Sequence, residues 1–285
     1  MTLIQVVSIL CVAAIMQLFP TRAGWISVMA SSTFSHYILA VLYAKRQVRE
    51  LGTHPRFLLP LAAVAVIGTS AYLSGFPIVI YFGLHHVFNE IYIVDRARGG
   101  GDGPVDRNLR TAALICHLFI YFTIVRDHNH MRWIADSALF TGLAASFCVY
   151  VFLLVRALPT LSAVLRRSSI QLVGLIMVGV SFFVEIEFLN IVLYHVVFWV
   201  FYPLTKMVGH GSRPIIRYLS GTVGITALFL LISPMSNVPF RLTANEFNHQ
   251  LVLWAFVHIT LSLALSTAHP TWITRWFQPG FRRAT

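Results

Sequence analysis

The segment Tyr81-Phe-Gly-Leu-His-His-Val-Phe-Asn-Glu90 sets two adjacent histidines, an amide and a carboxylate inside an apolar run from Phe76 to Val94. A run of that length crosses a bilayer, where ionisable side chains are costly and mark functional sites. His86 and Glu90 are four residues apart and share a helix face, as do His85 and Asn89. Imidazole and carboxylate are both metal ligands, and the remaining polar groups can support them by hydrogen bonds. His85 is rotated by about 100° from His86, so one helix does not readily turn both toward a single ion.

Four further histidines, His36, His117, His195 and His258, fall near the middle of other apolar runs. Each must find a polar partner away from lipid, and one shared pocket answers that need for all of them. The candidate metal ligands are His36, His85, His86, His195 and His258, with Glu90 as a further ligand or a group just behind them. For His117 the favoured reading is an interhelical hydrogen bond. Glu185 and Glu187 interrupt the apolar stretch 170–201. They are either solvated at the membrane surface, or one of them overhangs the pocket as a ligand or proton acceptor. Glu90, Glu187 and Tyr194 are the candidate catalytic groups; Asn190 and Tyr194, four apart, can form a hydrogen-bonded pair behind the ligands. The rings of Tyr194–Tyr202, with Tyr81, Phe82, Phe88 and Tyr92, suit core packing and can also wall a hydrophobic tunnel.

The elements that must position these groups are membrane helices. Of 285 residues, 57% are hydrophobic and only 11% charged, against about 25% charged in a soluble domain. Apolar runs separated by short basic loops predict an all-α, polytopic transmembrane bundle of about 8–10 spans in one membrane domain, 1–285. The spans read as 3–18, 25–44, 57–72, 76–94, 109–125, 133–155, two short helices within 170–201, 215–232 and 250–265. The stretch 170–201 is too long for one span and too short for two long ones at about 1.5 Å per residue, and a single long, tilted helix is the rival reading. The N-terminal run has no basic leader or clear cleavage site and reads as a retained helix.

The net charge of +11 does not point to nucleic acid, because the basic residues sit just beyond helix ends without a recognition motif. With the N-terminus inside, they crowd into the cytoplasmic segments and leave only Arg22, Arg126, Arg132 and Arg241 in the outer turns. Both termini are therefore expected in the cytoplasm, with a bacterial inner membrane as the location. The three cysteines, Cys11, Cys116 and Cys148, lie in apolar runs without CxxC spacing and read as small buried hydrophobes. Asp127-His-Asn-His130 is a polar turn. The loop from Arg98 to Pro104 lacks the Lys-Ser/Thr pair of a phosphate cradle and reads as a linker.

Isolated histidines in separate short membrane helices resemble the arrangement in the bacterial Brp/Blh family. The features are His36 in an early helix, His85-His86 in a middle one, His195 later, and the terminal Ala268-His-Pro270 with its basic tail. The early helix has Phe34-Ser-His-Tyr37 where that family has a Pro-His-Gly pattern. The resemblance implies a membrane carotenoid dioxygenase using histidine-ligated iron. The expected function is accordingly a non-haem iron oxygenase or oxidoreductase acting on a lipophilic substrate, a carotenoid or a lipid, with another transition metal as an alternative ion. The rival readings are a haem b electron carrier, with paired histidines as axial ligands, and a proton or metal-ion transporter using the same histidines as a relay.

Overall fold

A computed structural model of the chain describes residues 2–45, 48–49, 55–73, 78–97, 103–128, 131, 134–236, 238–239 and 241–265. They form ten helices of 17 to 22 residues: α1 (Thr2–Leu18), α2 (Arg22–Tyr43), α3 (Pro55–Leu73), α4 (Ile78–Ala97), α5 (Pro104–Ile124), α6 (Asp136–Ala157), α7 (Leu161–Val180), α8 (Phe188–Met207), α9 (Ser212–Ile232) and α10 (Ala244–Leu265). There is no β-strand among the described residues. The protein is an all-α, multi-span membrane bundle. Five helices, α2, α6, α7, α8 and α9, have both the length and the apolar composition to cross a membrane.

Helix starts follow local chemistry. Thr21 caps α2 by accepting from the Gly24 N–H at 3.2 Å, and Thr160 caps α7 through the Ala163 N–H at 3.3 Å. Gly103-Pro104 opens α5 with proline in the first turn, where its missing N–H matters least. Thr243 and Glu246 form a reciprocal capping box at α10: Glu246 accepts from the Thr243 N–H at 2.9 Å, and the Thr243 hydroxyl accepts from the Glu246 N–H at 3.3 Å. After a 3-10 turn, Val208–His210, the chain enters α9 through Gly211 at φ 86°, a backbone conformation that a side chain would strain.

Several boundaries differ from the sequence expectation, and α10 begins at Ala244 rather than Gln250. The stretch 170–201 does divide at the glutamates, with 181–187 as the connection. Its first half, however, is a full-length helix, because α7 begins at Leu161 and runs through Arg166 and Arg167. Helix α5 starts at Pro104, one turn before the expected Leu109. His130, the loop residues 98–102 and the terminal Ala268-His-Pro270 with its basic tail lie outside the described residues.

The chain forms two compact units. In one, α5 is the hub against which α4, α6 and α7 pack. Gly83 on α4 and Gly142 on α6 make this possible, since a Cβ at either would collide with the ring of Tyr121 or Phe119 on α5. Tyr121 also donates its hydroxyl to the Val79 carbonyl at 2.9 Å, tying α5 to α4. Asp95 at the end of α4 pairs with Arg110 of α5 (2.8 Å) and with Arg167 of α7, which also reaches Asp106 (3.3 Å). The charges that hid the starts of α5 and α7 from hydropathy therefore neutralise one another.

In the other unit, α2 packs against α9 and α10, and α10 against α3. The buried Ala30, Ser31 and Ser35 keep the inner face of α2 narrow. Phe34 stacks on Phe229 of α9 at 4.4 Å, and the Ser35 hydroxyl donates to the Thr222 carbonyl at 3.1 Å. Tyr218 of α9 donates to the Trp199 carbonyl of α8 at 2.8 Å, and Asn190 of α8 donates to the Met16 sulfur of α1 at 3.4 Å. These contacts fix how α2 and α8 are rotated, and so where their histidines point.

Candidate metal centre

Fixing α2 through Phe34 and Ser35 turns His36 toward α8 and α10. His36 Nε2 lies 3.1 Å from His258 Nε2 of α10. The His36 and His195 rings meet edge to face with centroids 5.6 Å apart. One ligand nitrogen from each of His36, His195 and His258 falls within 4.8 Å of the others. His195 and His258 are buried and His36 is half-buried.

Two imidazole nitrogens bound to one first-row ion at about 2.1 Å stand roughly 3.0–3.4 Å apart. The His36–His258 spacing of 3.1 Å already has that value. Closing the wider separations asks only small rotations of rings carried by separate helices. Two Nε2 atoms facing at this distance share either one proton or one cation, and an ion binds by displacing the proton. Three neutral imidazoles suit iron, copper, zinc or nickel, and three protein ligands leave coordination positions open. The donor set therefore fits a transition metal.

Aromatic rings enclose the triad. Tyr37 stacks on His258 with centroids 4.6 Å apart and planes 26° from parallel. Trp199 lies 5.9 Å from the His36 ring and 6.2 Å from the His195 ring. Such walls exclude water and hold the imidazoles in place. Both rings had a sequence signal: Tyr37 follows His36, and Trp199 is four residues after His195 on the same helix face.

The other candidate residues belong to the unit built on α5, to the segment before α8 or to α8 itself. His85 lies 3.2 Å from the Asn89 amide, as the four-residue spacing implies. Glu90 faces α5 and pairs with His117 Nε2 at 3.2 Å, so His117 makes the interhelical bond expected of it. His86 lies face-on to Phe82 at 5.9 Å. His85, His86, Asn89, Glu90 and His117 are all buried. Among the described residues His36, His195 and His258 are the one group of three such side chains whose ligand atoms all lie within 4.8 Å of one another. Glu187 is half-buried in the connection before α8; Tyr194 is half-buried beside His195 and packs on Phe198 at 6.3 Å.

The chain matches no protein-family model, no curated protein and no solved structure. What stands on its own geometry is a buried histidine triad, able to coordinate a metal, within a polytopic membrane bundle.

Proposed function

We propose that the protein is a membrane-embedded metal-dependent oxygenase or oxidoreductase that holds non-haem iron on His36, His195 and His258 and acts on a lipophilic substrate, a carotenoid or a lipid. The 3.1 Å approach of His36 Nε2 to His258 Nε2, with His195 within reach, carries this reading. Bound iron would supply Lewis acidity and redox chemistry with open positions for oxygen or substrate. The chain's own part is to present three neutral imidazoles, to exclude water with Tyr37 and Trp199, and to keep a half-buried edge at His36 for access. Tyr194, which precedes His195 in the chain, is the candidate for orienting a substrate. Within this reading the basic helix ends face the cytoplasm of a bacterial cell.

A haem held between His36 and His258 would need the two rings to part and admit a macrocycle, whereas a single ion fits their 3.1 Å spacing as it stands. Metal analysis of the gently purified chain tests the proposal. About one iron per chain is expected, falling away in His36→Ala, His195→Ala and His258→Ala but retained in His117→Ala. Stoichiometric absence of any transition metal from the wild type refutes it.

A second reading, proton transfer, is favoured by the buried Glu90–His117 pair, which joins an acid and a base across α4 and α5. Proton flux in proteoliposomes that disappears in Glu90→Gln while metal content is unchanged would support it.

A further inference from the structure

The triad leaves unused a groove of about 730 Å³ where the C-terminal end of α2 meets the N-terminal end of α9. Leu39, Leu42 and Ile225 supply apolar wall, and Lys45, Arg213 and Arg217 supply three cations to the same lining. Among the described residues no carboxylate lines it. Among the described residues, none of the three cations has an acidic side chain within ion-pair distance. The first turn of α9 lies at the same end, without a side-chain cap, and its N–H groups add to the positive field. Hydrocarbon wall and unneutralised cations at the end of membrane helices are complementary to one kind of molecule, an amphiphile with an anionic head.

We propose that this groove is a binding site for an anionic phospholipid, with its phosphate on Lys45, Arg213 and Arg217 and an acyl chain against Leu39, Leu42 and Ile225. Phosphatidylcholine matches the wall equally well, but its choline brings a positive charge to the cations. Arginine and lysine bind phosphate oxygens by charge-assisted hydrogen bonds, and the arginines can do so with two parallel N–H groups. Leu39 is three residues after His36 and on the same face of α2, so the lipid chain lies one turn from the triad. The assignment does not depend on whether the histidines hold an ion.

The test titrates the delipidated full-length chain in detergent with dioleoyl phosphatidylglycerol and dioleoyl phosphatidylcholine, read by native mass spectrometry. The wild type is expected to bind the anionic lipid about tenfold more tightly or better. Joint substitution Lys45→Gln, Arg213→Gln and Arg217→Gln should bring the two lipids within about twofold. Removing three exposed cations elsewhere, Arg107→Gln, Arg156→Gln and Arg166→Gln, should leave the preference in place. Gly221 also lines the groove, and a Cβ there would sit 3.5 Å from Leu39, an ordinary contact. Gly221→Ala should therefore fold, and Gly221→Leu, extending from the same Cβ, should narrow the groove and weaken both lipids. Phosphatidylglycerol with a photoreactive acyl chain should label the wild type within 39–45 or 213–225, a result that needs no variant. Equal binding of the two lipids, loss of preference in the distant triple variant, or labelling confined to other segments would each overturn the assignment. Displacement by free glycerol phosphate at the potency of the lipid would overturn it in favour of a soluble phosphate.

Discussion

His36 and His258 stand 222 positions apart in the chain, yet their Nε2 atoms are separated by 3.1 Å. Neither imidazole has a sequence neighbour that would bring it there. His36 is aimed by the packing of α2 on α9, through Phe34 on Phe229 and Ser35 on the Thr222 carbonyl. His258 is held by Tyr37 stacked on its ring. A lone hydrogen bond between two imidazoles would not require His195 to join them; a shared cation would.

Substitution of each ligand separates these two cases. His195→Ala leaves the His36–His258 contact standing, so a purely structural pair loses only what the void left by one buried side chain costs and no metal-linked property. If the three share an ion, metal affinity falls by more than about 100-fold, beyond what loss of a supporting group costs. Equilibrium dialysis against a competing chelator measures it. Unchanged affinity in His195→Ala would remove that residue from the ligand set.

Acid should unload the site with a diagnostic steepness. Each ligand must surrender its lone pair to the ion, so protons compete with metal for all three imidazoles. The sign is that affinity falls as pH falls. On the acid side the slope of log affinity against pH should approach about three for three ligands. A slope near zero would mean that protons and metal do not compete for these imidazoles.

Apolar runs of bilayer length made most of the helices legible, and the mid-span positions of His36, His195 and His258 made them candidates. Helix adjacency was not legible, because hydropathy records that a segment is buried and not beside which neighbour. That is why the doublet His85-His86 drew attention through proximity in sequence, although Asn89 and the Glu90–His117 pair occupy that region. The start of α7 was hidden for a related reason. Arg167 reads as loop by composition, yet Asp95 and Asp106 receive its charge inside the bundle.

Asp95 is the residue on which that charge network turns. It is 8% exposed and meets two guanidinium groups, Arg110 at 7% and Arg167. Asp95→Asn removes the carboxylate that Arg110 and Arg167 share, leaving Arg167 its contact with Asp106, and should destabilise by about 3–5 kcal/mol. Arg167→Gln leaves Asp95 its bond to Arg110 and should cost about 1–3 kcal/mol. Thermal unfolding in detergent gives the order. A greater loss for Arg167→Gln would mean that Asp95 is held chiefly by other groups.

Glu90 and His117 offer a contrast between shape and charge. Glu90→Gln keeps the volume and a hydrogen-bonding oxygen for His117 Nε2, so its cost should stay near 1–1.5 kcal/mol, roughly that of one ordinary hydrogen bond. Glu90→Ala leaves a void and removes the oxygen that His117 Nε2 faces at 3.2 Å. Its cost should be larger, about 2–5 kcal/mol. Both variants should keep the wild-type metal content, because the group able to share an ion is His36, His195 and His258. Metal loss in Glu90→Gln, with the fold intact by circular dichroism, would instead make the carboxylate a ligand and require the α4 and α5 side chains to reach the same ion.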